Sequence, residues 1–300
     1  MKQKTKTCVL GLVLGIAACA VIFALPLQAT DKAKLKVNID AMRAEIEANG
    51  YTFTVGETPV MNYDPEQLLK ERHPMAYPEA CLGNAYFALP ALETELPPAY
   101  IGYYTPVKNQ GACGSGWAFS AVGILEAIIL QNDGIVVDLS EQQVVSCNPW
   151  GWGCNGGYWA NDFLVSPGLM LESCYPYAAL DMPCVEDCPI LYAAQGWGFV
   201  GGQYDVPSIE EIKLAILTYG SVQAGVYADS FFMAYTGGVF NKCKKNARYT
   251  NLSIILCGWD DAKGAWLLKN SWGEAWGENG FMWISYTCNL VGEGANFVVY

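Results

Sequence analysis

Histidine is almost absent from this chain, because its 300 residues include a single one, His73. Histidine is the usual general base of enzymes at neutral pH and the commonest protein ligand of transition metals. The chain beyond residue 73 therefore contains neither a histidine-based catalytic pair nor a histidine-containing metal site. We expect no metal ion and no cofactor.

Basic residues are also few. The chain has 17 Lys and Arg against 29 Asp and Glu, which gives a formal net charge of −12. Proteins that bind nucleic acid present a basic surface to the phosphates, so nucleic acid is not an expected partner. A hydrophobic content of 52% with 13% aromatic residues argues against disorder and predicts a substantial packed core.

Long apolar runs are confined to the amino terminus, over residues 8–27, where lysines precede the run and small residues end it. This layout predicts a signal peptide over residues 1–29, cleaved after Ala29, and a secreted or cell-envelope protein. Two alternatives stay open. The run is long enough for an uncleaved membrane anchor, and the four residues Ile16–Cys19 resemble a lipid-attachment box. Contact with a membrane is expected only if the segment is uncleaved.

Twelve cysteines in an exported chain predict disulfide bonds rather than reduced thiols. Cys174, Cys184 and Cys188 are too far from any histidine to favour a metal site, and disulfides explain them. Cys257 lies in an apolar strand pattern, so we expect a buried, unreactive thiol.

Helix and strand patterns predict the bounds of several elements. Ser115 is expected to cap a helix over 116–133 that ends before Gly134. Ser140 and Ser208 each precede a Gln or Glu by three residues, which is the capping-box spacing, so helices are expected to begin there. Strands are predicted in the last part of the chain over 221–227, 251–259, 265–269, 280–286 and 297–300.

The run Tyr104–Ser120 resembles the nucleophile segment of the papain-like cysteine peptidases. Further blocks of that family follow in the family's order, from about residue 96 to the C-terminus. They are Leu139–Gln142, Gly153–Tyr158, Tyr175–Tyr177, Gly237–Phe240 and Leu268–Gly280. Any one block is weak, but the ordered set is specific.

The resemblance implies an α+β, papain-like two-lobed fold over residues 96–300. A helical lobe over about 96–200 would be followed by a β-barrel-like lobe over about 201–300, with the substrate cleft between them. Residues 30–95 resemble the family's pro-segment in position and size, with a helix expected over 36–49. Two interpretations stay open for this region, a segment that remains attached over the cleft and a loosely ordered linker.

Two of the four family active-site positions carry other residues in this chain. Active members place a cysteine thiolate at the start of the long helix, where the helix end and a histidine stabilise it. Gly116 stands at that position, and Leu252 stands at the position of the histidine. Gln110, which would complete an oxyanion hole, and Asn270, which would orient the histidine, are both retained.

Other cleft residues follow from the same resemblance. Gly156 and Gly157 would offer backbone to a bound peptide, as in strand addition, and Trp272 would shelter Asn270. For each of these residues, and for Gln110, a purely structural role is the alternative.

The resemblance also suggests disulfides between Cys113 and Cys154 and between Cys147 and Cys184. Further pairs, Cys174 with Cys188 and Cys243 with Cys288, are plausible, although spacing does not fix them. The usual start of the mature family domain is missing, so the processing boundary is not defined by the sequence.

The sequence therefore predicts a catalytically defective papain-like homologue, a monomer that binds a peptide or protein ligand in the old cleft. One alternative is an active hydrolase that uses another nucleophile, for which Ser115 and Ser253 lie next to the two lost positions. The other is a scaffold whose cleft is vestigial.

The export prediction has a direct test. Mass spectrometry of the protein recovered from its host should show a chain that begins at Thr30, since cleavage is expected after Ala29. An intact Met1 in a membrane fraction would contradict cleavage and favour the anchor.

Overall fold

The computed structural model of the chain describes residues 28–69, 87–91 and 95–300, with side chains in the first helix from residue 39 onward. His73 and most of the predicted signal peptide lie outside these residues. Among the described helices, none has the length and apolar character needed to cross a membrane.

Most helices precede residue 220, and most strands follow it. The helices are α1 (Gln28–Asn49), α2 (Pro65–Leu68), α3 (Gly116–Asp133), α4 (Glu141–Cys147), α5 (Asn161–Val165), α6 (Ile209–Tyr219) and α7 (Ser230–Met233), with a 3-10 turn over Pro59–Asn62. The strands are β1 (Thr52–Val55), β2 (Ala99–Ile101), β3 (Gly196–Phe199), β4 (Val222–Val226), β5 (Tyr235–Phe240), β6 (Leu252–Asp260), β7 (Ala265–Lys269), β8 (Phe281–Ser285) and β9 (Glu293–Val299).

Helix α3 has the predicted bounds, and it is buried on every side over its first fourteen residues. It ends at Gly134, whose left-handed backbone (φ 70°) lets its N–H reach the Leu130 carbonyl. At the other end the prediction for Ser115 is wrong. The backbone of Ser115 does not have the extended conformation that aims a cap oxygen at the first turn, and its hydroxyl lies 2.5 Å from that of Tyr177.

The other two helix starts agree with the sequence. The Ser140 hydroxyl accepts from the backbone N–H of Gln143 at the start of α4. Ser208 accepts from the N–H of Glu211, whose carboxylate accepts in return from the Ser208 N–H at 2.8 Å. This reciprocal pair is a complete capping box for α6.

In the described part of the chain, nine strands form one open sheet in the order β1-β5-β8-β7-β6-β4-β9-β3, and β2 pairs with β6. All pairs are antiparallel except β5 with β8. Strands β4, β6 and β7 are buried along almost their whole length, as their continuous apolar runs predict. The strand predicted over 297–300 begins earlier, at Glu293.

Two hydrophobic cores support the two-lobed α+β fold. One core packs α3, α4 and α5 against the sheet and includes Trp117, Leu139 and Trp197. The other combines the C-terminal half, including Trp259 and Phe232, with residues of the amino-terminal region such as Phe53 and Leu68. Strand β3 and helix α6 lie on either side of the predicted division near residue 200, so each lobe contains helix and strand.

The region that resembles a pro-segment packs against the C-terminal half of the chain. Strand β1 pairs antiparallel with β5, and the rings of Phe53 and Phe240 lie 4.6 Å apart. The Thr58 hydroxyl donates to the Met233 carbonyl at 2.7 Å. The predicted helix ends at Asn49 as expected but begins earlier, at Gln28. Between residues 39 and 69 the chain is therefore packed structure, which does not fit a loose linker.

All four disulfides suggested by the sequence are present. They are Cys113–Cys154, Cys147–Cys184, Cys174–Cys188 and Cys243–Cys288. Among the described residues Cys257 is the free cysteine, and its burial raises the pKa of the thiol to about 12. The thiol therefore stays protonated and unreactive, as predicted.

The disulfides should differ in their contribution to stability. Replacing Cys243 and Cys288 by Ala opens a loop with a sequence separation of 45, whereas replacing Cys174 and Cys188 opens one of 14. Loop entropy predicts losses in the free energy of unfolding of about 4 and about 3 kcal/mol, respectively. Guanidinium unfolding followed by tryptophan fluorescence measures both. A larger loss for the shorter loop would contradict the entropic explanation.

Candidate active-site cleft

The first turn of α3 meets the start of β6, which brings together the two positions that differ from the family pattern. The Ser120 hydroxyl donates to the Gly116 carbonyl at 2.8 Å and lies 2.9 Å from the hydroxyl of Ser253. Ser253 directly follows Leu252, which is completely buried. The start of α3, which begins at Gly116, therefore lies beside the start of β6, which begins at Leu252.

A side chain that the sequence did not single out joins this contact. Gln223 on β4 donates its amide to the Ser120 hydroxyl at 2.7 Å and lies 3.3 Å from the Ser253 hydroxyl. The two serines are thus held by each other and by an uncharged amide. In the sequence, Gln223 could have been noticed as a polar residue inside the apolar run of β4.

Gln110 is held in a fixed orientation between the lobes. Its amide nitrogen donates to the Cys113 carbonyl at 2.9 Å, and its amide oxygen accepts from the Ser271 hydroxyl at 2.7 Å. Its backbone N–H donates to the Ser271 carbonyl at 2.8 Å. An amide nitrogen carries two hydrogens, so one of them remains available at the start of α3.

Asn270 and Trp272 are buried, and each has a donor without a partner. The Asn270 side-chain oxygen accepts from the Ser271 N–H at 2.8 Å, but its nitrogen Nδ2 has no partner among the described residues. The indole nitrogen of Trp272 is likewise unpaired, although its ring packs on Phe232 and Trp276. Leaving a buried donor unpaired costs about 1–3 kcal/mol, so each of these donors is a position where a further hydrogen bond would be favourable.

The two cleft glycines differ in their surroundings. The Gly156 N–H donates to the Gly153 carbonyl, and its own carbonyl accepts from the Gly153 N–H. A Cβ at Gly157 would lie 2.4 Å from the indole ring of Trp117, so this position requires glycine for packing. The packing alternative therefore accounts for Gly157, and the backbone of Gly156 is already engaged.

Residues 64–69 of the chain lie beside the start of α3. The Gln67 side chain donates to the Cys154 carbonyl at 2.8 Å. The carbonyl of Gln67 would lie 2.7 Å from a Cβ on Gly114, which shows how closely the two segments approach. Leu68 is completely buried, in the same core as Leu252 and Trp272.

A buried charge cluster lies under the cleft. The Lys108 ammonium contacts Glu126 and Glu141 at 2.8 Å each and the exposed Asp138 at 2.7 Å. Burial opposes the charge on Lys108, but the two glutamates outweigh it and raise its pKa. Burial also raises the pKa of Glu141, to about 8, against the attraction of Lys108. Burial lowers the pKa of Lys269 nearby.

Comparison with known proteins supports the resemblance found in the sequence. Residues 99–298 match a family described as papain family cysteine protease. A cathepsin L-like proteinase of Fasciola hepatica is 38% identical over 189 residues, which span 60% of this chain and 56% of that protein. The matched part is thus little more than half the length of that relative.

Solved structures extend the likeness to the amino-terminal region. The digestive procathepsin L2 proteinase from the larval midgut of Tenebrio molitor has a TM-score of 0.77 at 26% identity and covers 91% of this chain and 95% of its own. The digestive procathepsin L 3 of the same source has a TM-score of 0.76 at 22% identity, with 89% and 90% covered. Both are pro-forms, and the matched share extends well before residue 96.

Substitution of Lys108 should lower the free energy of unfolding mainly because it removes the cation of the buried charge cluster. Lys108→Met leaves Glu126 and Glu141 without their cation, and such a loss costs about 3–5 kcal/mol. Burial places the folded-state pKa of Glu141 above its unfolded value, so the folded chain takes up a proton as pH falls. The loss should therefore shrink between about pH 8 and about pH 5.

Urea unfolding over that pH range tests the effect, with Lys263→Met as the matched control. Lys263 pairs with Asp260 at the surface, so its removal should cost less than about 1 kcal/mol. Equal losses for the two variants would show that the Lys108 cluster is solvated.

Proposed function

Because the chain belongs to the papain family of cysteine proteases, we propose that it keeps the family's cleft as a peptide-binding site without the chemistry. The observation that carries the proposal is that α3 begins with Gly116 and β6 begins with Leu252, at a place where the two elements are joined by the Ser120–Ser253 contact. Gly116 has no side chain to form a nucleophile, and Leu252 puts an apolar group where a base is needed.

The contacts of Asn270 support the loss of the base. In the family pattern the asparagine orients a histidine, and here its side-chain oxygen, the atom that could accept from a histidine N–H, accepts from the backbone N–H of Ser271. The retained Gln110 keeps an ordered amide, whose nitrogen donates to the Cys113 carbonyl and whose oxygen accepts from Ser271, so that one of its two N–H groups has no partner among the described residues. A frame with its acceptor and donor groups in place, but without an ionisable pair, suits binding better than hydrolysis.

The competing function is peptidase activity, which the name of the Fasciola relative states for that protein. It would need a nucleophile at Ser115 or Ser253. Ser115 is bonded to Tyr177, whose pKa is raised by burial, so the phenol stays protonated and is not a base. Ser253 is bonded to the Ser120 hydroxyl and an amide. Loss of a nucleophile and base typically costs on the order of 10⁶-fold in turnover.

The contacts of residues 64–69 indicate what a bound peptide would use. A side-chain donor reaches the Cys154 carbonyl, and an aliphatic side chain enters the core beside Leu252 and Trp272. We propose a monomer that holds a peptide or protein ligand through such contacts. Its four disulfides and its cathepsin L-like relatives are typical of secreted or lysosomal proteins, and we propose that it is secreted or located in the cell envelope.

The first test is activity. The purified chain should cleave no peptide above background, and a thiol-directed epoxide inhibitor of this family should leave no adduct in the cleft. Steady turnover that disappears on changing Ser115 or Ser253 to Ala would establish the competing peptidase function.

The second test is repair of the site. Gly116→Cys with Leu252→His should restore a thiolate at the helix start and a base next to Asn270. In a background that opens the cleft, Leu68→Asp, we expect amidase activity at least about 10²-fold above either single change, because nucleophile and base act as a unit. A folded double variant with an open cleft and no activity would favour the vestigial scaffold.

A further inference from the structure

An otherwise acidic protein carries one strongly basic segment on its C-terminal half. The segment over residues 241–249, here called the basic loop, connects β5 to β6 and contains Lys242, Lys244, Lys245 and Arg248. These are four of the 17 Lys and Arg in a chain of net charge −12. Such a local reversal of sign is the electrostatic feature that steers and selects an acidic partner.

The basic loop is held in place rather than free in solution. The Cys243–Cys288 disulfide links the basic loop to the turn that follows β8. In the same turn, the Asn289 side chain accepts from the Lys244 N–H at 2.7 Å. The Lys244 ammonium donates to the Tyr227 hydroxyl at 2.6 Å and lies 3.8 Å from the centre of the same ring. The backbone of the basic loop and the side chain of Lys244 are therefore both held in place.

Two of the four basic side chains in the loop have no ion-pair or hydrogen-bond partner among the described residues. Lys242 lies over the ring of Phe231 and pairs with Glu45 of α1 at 3.4 Å. Lys245 and Arg248 are exposed, and the described residues offer them neither an ion pair nor a hydrogen bond. These two side chains are free to meet carboxylates from outside the chain.

A pocket of about 270 Å³ adjoins the loop. One wall consists of Tyr227, Tyr249 and Met233, and the two tyrosine rings meet edge to face at 5.8 Å. The other wall belongs to residues 65–69, including Glu66. Asp229 also lines the pocket, but its carboxylate accepts from two backbone N–H groups at the start of α7 and is thereby committed.

We propose that this pocket and the basic loop select an acidic peptide segment of a partner protein, with its carboxylates at Lys245 and Arg248 and an aliphatic side chain in the pocket. The inference rests on the proposed peptide-binding function and names the ligand class for one end of the cleft. The chain itself shows that the loop accepts a carboxylate, because Glu45 of α1 pairs with Lys242.

A peptide fits this site better than a sulfated polysaccharide would. The lining residues Met233, Tyr227 and Tyr249 are apolar or amphipathic, and the facing wall includes Pro65 and Leu69. A polyanionic sugar would use the cations alone and leave this apolar surface unfilled.

The experiment uses the full-length chain with Leu68→Asp, which places a charge in the buried Leu68 site and displaces residues 64–69. Gln67→Ala with Leu68→Ala is a second opening variant, should the first fail to fold by near-ultraviolet circular dichroism. Fluorescence anisotropy then measures the affinity of labelled peptides that copy residues 58–69. One peptide has the natural sequence, and the matched one carries Asp64→Asn and Glu66→Gln.

We expect the natural peptide to bind about tenfold more tightly than the amide peptide at low salt, with the difference shrinking at high salt. Lys245→Glu with Arg248→Glu should weaken the natural peptide about tenfold and leave the amide peptide unchanged. Lys263→Glu, a charge reversal on the turn after β6, is the matched control and should change neither affinity.

The outcomes separate the two proposals. Equal affinity for both peptides would overturn the acidic preference while peptide binding in the cleft stands. Absence of binding by both peptides to an opened, folded chain would overturn the proposed function and this inference with it. Binding of heparin fragments that depends on Lys245 and Arg248, without any charge effect among the peptides, would assign the loop to a polysaccharide instead.

Discussion

The burial of α3 within one of the two cores is the constraint on which the rest of the structure depends. The helix is apolar on every side, so no orientation leaves it stable at a surface, and it must be enclosed by α4 and α5 on one side and by β6 on the other. This enclosure fixes the start of the helix against the start of β6. The cleft follows from it, whatever residues occupy the two catalytic positions.

Under the proposed loss of catalysis, that constraint explains why the frame of the site persists. Gln110 is held by Ser271, and Ser120 is held by Ser253 and Gln223, through neutral hydrogen bonds that do not need a thiolate or an imidazole. The charge cluster at Lys108 is likewise independent of the catalytic positions. The proposed replacement of the nucleophile and the base therefore leaves intact the hydrogen bonds and the charge cluster that stabilise the cleft.

The sequence was sufficient for elements whose determinants are local. The bounds of α3 follow from a continuous apolar helix and Gly134, and β7 follows from a short apolar run. Strands β1, β3 and β5 were not predicted, because they are short, two of them are rich in glycine, and their partners are distant in the chain. The site positions came from motifs, but the role of Gln223 depends on how β4 packs against α3, and no local pattern contains that information.

Strand β1 has a consequence for solubility. The sheet order begins β1-β5, so β1 covers the outer hydrogen-bonding groups of β5, a strand with two central glycines. A chain without residues 52–55 would expose that edge, and exposed edges pair with other chains. By pairing with β5, the amino-terminal region therefore protects this edge of the sheet from pairing with other chains. This role does not depend on whether the cleft is catalytic.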